Sequence, residues 1–304
     1  MNQQRALDYL VWSQSDHTKE TLFNSVFQLQ GGEYIFADLD DIESASPKAW
    51  YHLKSEPFQG SFAEAVVEFR RLFLDSVRLR LRSDVPIGSA LSWGLDSSSI
   101  VCAVHRILSE AKEPFEQLSF STCSEIERFD ERKFIEAVVE KTGVTARYSF
   151  PQANDAIESL DKMVWHQDEP FLSSSIFAEW SVYELAAKNA VKVTLDGHGA
   201  DEQLFGYHQF FGPYFRDLLK SSRFLDVART IEELRRILRY GSRPILKFLF
   251  GTSFSRLKNG HQVDWINWSK LEEEYRLPQF VVRESTGGLN EVSRSMLLAT
   301  SLPK

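Results

Sequence analysis

The stretch VPIGSALSWGLDSSSIVCAV, residues Val85 to Val104, reads as a strand, a tight small-residue turn and a helix. Pro86 ends whatever helix precedes it, because the residue before a proline is pushed away from helical angles. The turn gathers Ser92, Gly94, Asp96, Ser97, Ser98 and Ser99 at the start of the following helix. A helix N-terminus carries unpaired N–H groups and the positive end of the macrodipole, so a turn of this kind can hold an anion. The serine hydroxyls can add donors. Asp96 would repel a phosphate directly, and its useful part there is to hold Mg²⁺ against it. The pattern matches neither GxGxxG nor the Walker sequence. By composition alone it fits an ordinary βα turn capped by Asp and Ser better than a phosphate site. Trp93 sits in the middle of the turn. Its backbone N–H is as available as any residue's, but a positive φ there would cost of order 1 kcal/mol.

Outward from this turn the chain alternates. Strands are expected at Ile87–Ser92, Gln117–Thr122, Thr145–Phe150 and Val191–Leu195. Helices are expected at Asp96–Ala111, Asp130–Thr142 (closed by Gly143), Asp155–Trp165 and Ser175–Asn189. Strands separated by helices of this length imply βαβ units. The fold class is therefore α/β, a mostly parallel sheet with helices on both faces. Upstream, Ser61 and Glu64 form a capping box ahead of an apolar stripe through Phe62, Ala65, Val66, Phe69, Phe73 and Val77. The arginines near the end of that helix read as a solvated face. Downstream of residue 210 the pattern is mainly helical, and SRFLDVARTIEELRRILRYGSR reads as an amphipathic helix ending at Gly241. Near the N-terminus, LFNSVFQLQGGEYIFADLDD reads as two short strands around a Gly31-Gly32 turn.

A second turn, LDGHGADEQLFGY (Leu195–Tyr207), follows the last strand. Its glycines let backbone approach a ligand closely, and Asp201 and Glu202 open a helix. Turns at the carboxyl ends of parallel strands converge on one crevice. Asp96 and Asp201 could meet there as two carboxylates suited to Mg²⁺ and a polyphosphate. Taken alone, Asp201 reads as a helix N-cap in preference to a metal ligand.

The chain's 304 residues, 43% of them hydrophobic, suffice for one large core or two smaller ones. The net charge of −8 makes nucleic acid a poor partner. Cys102 and Cys123 lack metal-ligand or CxxC spacing and read as buried free thiols in a reducing compartment. No apolar run reaches the ~18 residues of a membrane span, and the N-terminus lacks signal-peptide features. The expected location is the cytoplasm, with no membrane partner.

Four segments together resemble one known family. DVPIGSALSWGLDSSSIVCAV is similar to the pyrophosphate loop of asparagine synthetases, usually Ser-Gly-Gly-Leu-Asp-Ser-Ser. LDGHGADEQLFGYHQF resembles their Gly-Glu-Gly-Ala/Ser-Asp-Glu motif followed by Gly-Gly-Tyr. HQDEPFLSSSIF (His166–Phe177) resembles the family's Asp-Glu-Pro and Ser-rich helix start. LSFSTCSEIERFDERKFIEAVVEKTG resembles the strand-turn-helix that receives adenine. The order and spacing are also the family's.

The resemblance implies an ATP-pyrophosphatase fold and a carbon–nitrogen ligase that adenylates a small-molecule carboxylate and then forms an amide, with ATP and Mg²⁺. It places pyrophosphate and ATP contacts on Leu91, Ser92, Gly94, Asp96, Ser97, Ser98, Thr122 and Gly197, and Mg²⁺ on Asp96 and Asp201. It identifies no catalytic residue in this chain. LFNSVFQLQGGEYIFA resembles the last strands of the family's glutaminase domain. Residues 1–57 are thus expected to be a remnant of that domain, and residues 58–304 the ATP-binding domain. Against the family the chain looks cut at both ends, with no N-terminal Cys nucleophile and no C-terminal segment bearing a catalytic Lys. It is therefore expected to need a separate glutaminase or ammonia source and to be inactive alone. Trp93 replaces a family Gly and His198 a family Glu. These departures keep two alternatives in view: a related lactam- or lasso-peptide-type cyclase, and a degenerate nucleotide-binding protein without catalysis.

Overall fold

The computed structural model describes residues 1–54, 56–111, 116–126, 130–171, 173–207 and 210–237. These fall into two compact units, Pro57–Ala200 and Met1–Glu56 together with Asp201–Lys304.

In the N-terminal segment, α1 (Gln3–Trp12) starts at Asn2, whose side chain accepts from the Arg5 N–H at 3.3 Å. Asp8 on this helix is fully buried. Its carboxylate is held by Arg5 at 2.9 Å, Gln4 at 3.1 Å and His17 at 3.1 Å. Burial without these partners would cost several kcal/mol. Strand β1 (Glu33–Tyr34) pairs antiparallel with β2 (Lys48–Ala49). The sequence suggested a hairpin across Gly31-Gly32. Instead the Gly32 carbonyl accepts from Trp50 N–H at 2.9 Å and Tyr51 N–H at 3.3 Å, which carries the chain into β2 rather than back on residues 22–30.

The unit Pro57–Ala200 holds the parallel sheet. Helix α2 (Phe62–Arg80) opens with the expected capping box. Ser61 Oγ accepts from Glu64 N–H at 3.3 Å, and Glu64 accepts from Ser61 N–H at 2.8 Å. Its Arg71 pairs with Glu68 at 2.6 Å on an exposed face, as a solvated stripe should. Then follow β3 (Ile87–Ala90), α3 (Leu95–Ala111), β4 (Leu118–Thr122), α4 (Arg132–Thr142), β5 (Thr145–Ser149), α5 (Ala153–Gln167), α6 (Ser175–Lys188) and β6 (Val193–Leu195). The strand order is β5-β4-β3-β6 and every pairing is parallel. Gly143 ends α4 at φ +68°, a left-handed turn that a side chain would disfavour.

Helices cover both faces, as parallel strands require. On one side Leu91, Val101, Cys123, Ile135 and Val144 pack together between the sheet, α3 and α4. On the other Phe120 packs with Ala186 of α6 and Val191. A third cluster joins α2 to α3 through Val77, Ala103 and Val104. Cys123 is buried as expected, but Cys102, on α3, is exposed.

After residue 200 come α7 (Ala200–Leu204), α8 (Phe211–Lys220) and α9 (Phe224–Ile237). Phe215 of α8 and Leu234 of α9 form a small core with Phe211, Val227 and Ile231. The expected end of this amphipathic helix at Gly241 lies outside the described residues. Among the described residues no helix is long and apolar enough to cross a membrane.

Candidate functional site

The site is built at the carboxyl edge of two adjacent strands, β3 and β6. The ladder of β3 runs one residue past the strand: the buried Leu91 N–H donates to Phe120 at 2.9 Å, and the Ser121 hydroxyl donates to the Leu91 carbonyl at 2.6 Å. From that fixed point the chain turns into α3. Ser92 N–H donates to Ser97 Oγ at 3.1 Å, and the two hydroxyl oxygens lie 2.9 Å apart. Gly94 N–H donates to Ser92 Oγ at 3.2 Å, and Ser98 N–H to the Gly94 carbonyl at 3.2 Å. Trp93 N–H points to a carboxylate, Glu131 Oε2, at 3.4 Å. The turn is thus a knot of N–H donors, one of which already faces an anionic oxygen. That is the donor chemistry a pyrophosphate needs.

Trp93 is not among the residues with positive φ, so the strain anticipated for a bulky residue in place of Gly does not arise. Its indole is 60% exposed and lies against Phe134 of α4, ring centroids 5.7 Å apart. Glu131 sits immediately before α4, yet its side chain makes no cap bond to that helix. Burial pushes its carboxyl above the usual range, and the Trp93 N–H pulls it partway back.

The second turn is anchored by a residue the sequence reading passed over. Asp196 Oδ1 accepts from Ala90 N–H of β3 at 3.0 Å. Its Oδ2 accepts from the Tyr183 hydroxyl of α6 at 3.0 Å and from Thr194 Oγ1 at 3.1 Å. Burial, the Asp196 charge and this bond push the Tyr183 hydroxyl well above the ordinary phenol range, so Tyr183 stays a donor. A carboxylate one step after a β-branched strand and just before Gly-His-Gly was the available signal.

Gly197 then lies directly on the first turn. A Cβ placed on it would sit 2.9 Å from Asp96 Cβ and 2.9 Å from Ser97 N. Only glycine lets the two turns come this close. His198 pairs with Glu179 of α6 at 2.6 Å, so the position where the family usually carries a carboxylate has one beside it, supplied from another helix. Glu179 too was missed, because nothing in the sequence links α6 to this turn.

Of the expected site residues, Leu91, Ser92, Gly94, Asp96, Ser97, Ser98 and Gly197 therefore converge. Thr122 ends the neighbouring strand β4, and its hydroxyl donates to the Ala178 carbonyl of α6 at 3.0 Å. Asp201 lies in the first turn of α7, in the other unit. Its side chain folds over Gly206, whose N–H donates to the Asp201 carbonyl at 3.0 Å. Nearby Phe205 takes a left-handed φ of +66°. Glu202 accepts from the Tyr207 hydroxyl at 3.0 Å. Among the described residues no group of three or more His, Cys, Asp or Glu could hold a metal. Mg²⁺ that travels with a nucleotide needs no such cage, since one or two carboxylates and the phosphates hold it. Asp96 lies in the unit that holds the parallel sheet and Asp201 in the other.

The fold is α/β, and two turns meet at the carboxyl edge of its parallel sheet. The chain belongs to the asparagine synthase family, whose sequence model matches residues 68–286. It is 31% identical over 208 residues to a provisionally named glutamine-hydrolysing asparagine synthetase 2 of Methanocaldococcus jannaschii, covering 68% of this chain and 39% of that protein. It is 34% identical over 167 residues to glutamine-hydrolysing asparagine synthetase 1 of Bacillus subtilis, covering 55% of this chain and 25% of the relative. Against the Asparagus officinalis glutamine-hydrolysing asparagine synthetase the identity is 30% over 174 residues, covering 55% of this chain and 29% of that protein. The chain thus spans between a quarter and two fifths of the length of these relatives.

Proposed function

We propose that this chain carries the synthetase half-reaction of an asparagine synthetase: ATP-dependent adenylation of a small-molecule carboxylate, then amide formation. In the first step a carboxylate oxygen attacks the α-phosphorus of ATP. The bond to the bridging oxygen breaks, and pyrophosphate leaves with Mg²⁺. In the second step a nitrogen lone pair attacks the acyl carbon, the C–O bond to the nucleotide breaks, and AMP leaves. Ammonia comes from a separate glutaminase or from solution, a reading supported by the relatives' names as glutamine-hydrolysing enzymes.

The observation that carries the reading is the contact of Gly197 with Asp96 and Ser97. Two motifs about a hundred residues apart are fused there into one surface of backbone donors and one carboxylate. The protein's part is positioning and charge stabilisation. The turn Ser92–Ser98 receives the β- and γ-phosphates. Asp96 and Asp201 receive Mg²⁺, and Leu91, Thr122 and Gly197 border the adenosine. The working compartment is the cytoplasm. ATP–pyrophosphate exchange with a panel of acids, aspartate first, tests it. Acid-dependent exchange that Asp96→Asn abolishes is the expected result. Exchange unaffected by Asp96→Asn would remove the turn from the reaction.

A further inference from the structure

We propose that Glu131 is a built-in competitor for the anion of the 92–98 turn, presented to Trp93 N–H by the contact between Trp93 and Phe134. This rests on reading that turn as the pyrophosphate site. Three observations carry it. The Glu131 carboxylate faces a turn donor instead of capping its own helix, which leaves a common stabilising contact unused. The indole at 93 lies on Phe134, three residues along from Glu131, so side chain and backbone of Trp93 are both tied to the start of α4. Of the turn's other donors, Ser92 and Gly94 N–H go to hydroxyls of the turn itself, which rotate away without moving charge, and Ser98 N–H goes to the Gly94 carbonyl.

The Glu131 carboxylate is thus an anionic partner already seated on a turn N–H. A phosphate arriving at Trp93 N–H must displace it, and a departing pyrophosphate is replaced by it. Burial already disfavours the charged form of Glu131, so its hold on the N–H is weak enough to yield to a multiply charged ligand. The arrangement trades ground-state affinity for release of product. It also gives the large residue at 93 a purpose: the indole is the handle that sets the distance between turn and carboxylate.

The test is calorimetric titration of inorganic pyrophosphate with Mg²⁺ into the full chain and its variants at low salt. Glu131→Gln keeps size and an acceptor oxygen but removes the charge. It is expected to bind pyrophosphate about tenfold more tightly, the scale of one unit charge a few ångströms away in a partly wet site. The gain should shrink in 0.5 M salt, roughly as screening at a Debye length of a few ångströms requires. Phe134→Ala, at a half-exposed ring, frees Trp93 without altering the turn and is expected to give a smaller gain in the same direction. Glu140→Gln, exposed farther along α4, is expected to change nothing. Equal or weaker binding by Glu131→Gln would overturn the proposal while leaving the pyrophosphate reading intact. Failure of every variant and the wild type to bind would overturn both.

Discussion

Adding a single methyl group at Gly197 tests whether the contact between the two turns matters. In Gly197→Ala the new carbon falls 2.9 Å from Asp96 Cβ and 2.9 Å from Ser97 N, where ordinary contact begins at 3.4 Å. One turn must retreat by about 0.5 Å, because the atoms met are backbone and the root of a side chain rather than a flexible tip. Retreat is resisted on both sides. Asp196 fixes one turn to β3 and α6, and the Ser92–Ser97 bonds fix the other. Overpacking of this kind costs about 2 kcal/mol, which a urea titration reads as a lower midpoint at unchanged slope. Displacing a positioned donor by half an ångström should also weaken Mg²⁺–pyrophosphate about tenfold, given that ~1 Å is worth about a hundredfold at a well-ordered site. His198→Ala, at an exposed neighbouring position, controls for effects of the turn in general. Unchanged pyrophosphate affinity in Gly197→Ala, with stability lowered as expected, would show that the contact is packing alone.

Two other outcomes follow from the same geometry. Asp196→Ala removes the acceptor of three donors and strands Ala90 N–H. It should cost about 3 kcal/mol in chemical denaturation, and Asp196→Asn, which keeps the Oδ1 acceptor, about 1 kcal/mol. Cys123 is buried, and desolvation pushes its thiol up to about 11. The folded form thus keeps the proton that the unfolded chain releases from about pH 9 upward, so this contribution to stability is complete below about pH 9 and is lost as pH rises toward 11. At pH 8 a thiol reagent should label Cys102 and spare Cys123, and the wild type should lose more stability than Cys123→Ala between pH 9 and 11.

The sheet was legible because its strands are short, β-rich runs bounded by Gly, Pro and Asp, and the helices between them carry their own stop and start signals. Ser61, Glu64 and Gly143 each stand where their caps were expected. The N-terminal hairpin was misread because turn chemistry is local and strand pairing is not: Gly31-Gly32 does turn the chain, but the partner lies at Lys48–Ala49. The first turn could be read because all its donors are consecutive in sequence. The residues that were missed, Asp196, Glu179 and Glu131, act across distances that no periodicity records. Each is an acidic side chain that sequence alone assigns to a solvated surface, and each points instead at a partner on another element. The indole at 93 is largely exposed, so removing it does not open a core cavity.

The order of strands has a consequence for how the protein is made. Strand β3 meets β4 through residues about 30 apart, Gly88 beside Leu118, but meets β6 through residues about 106 apart, Gly88 beside Thr194. Closing the longer loop costs about 1 kcal/mol more chain entropy, so β6 is expected to dock after β3, β4 and β5 have paired. During synthesis the serine-rich turn leaves the ribosome roughly a hundred residues before Asp196 and Gly197 do. Until they arrive a nascent chain can hold the sheet's core but only one of the two turns that meet at its carboxyl edge.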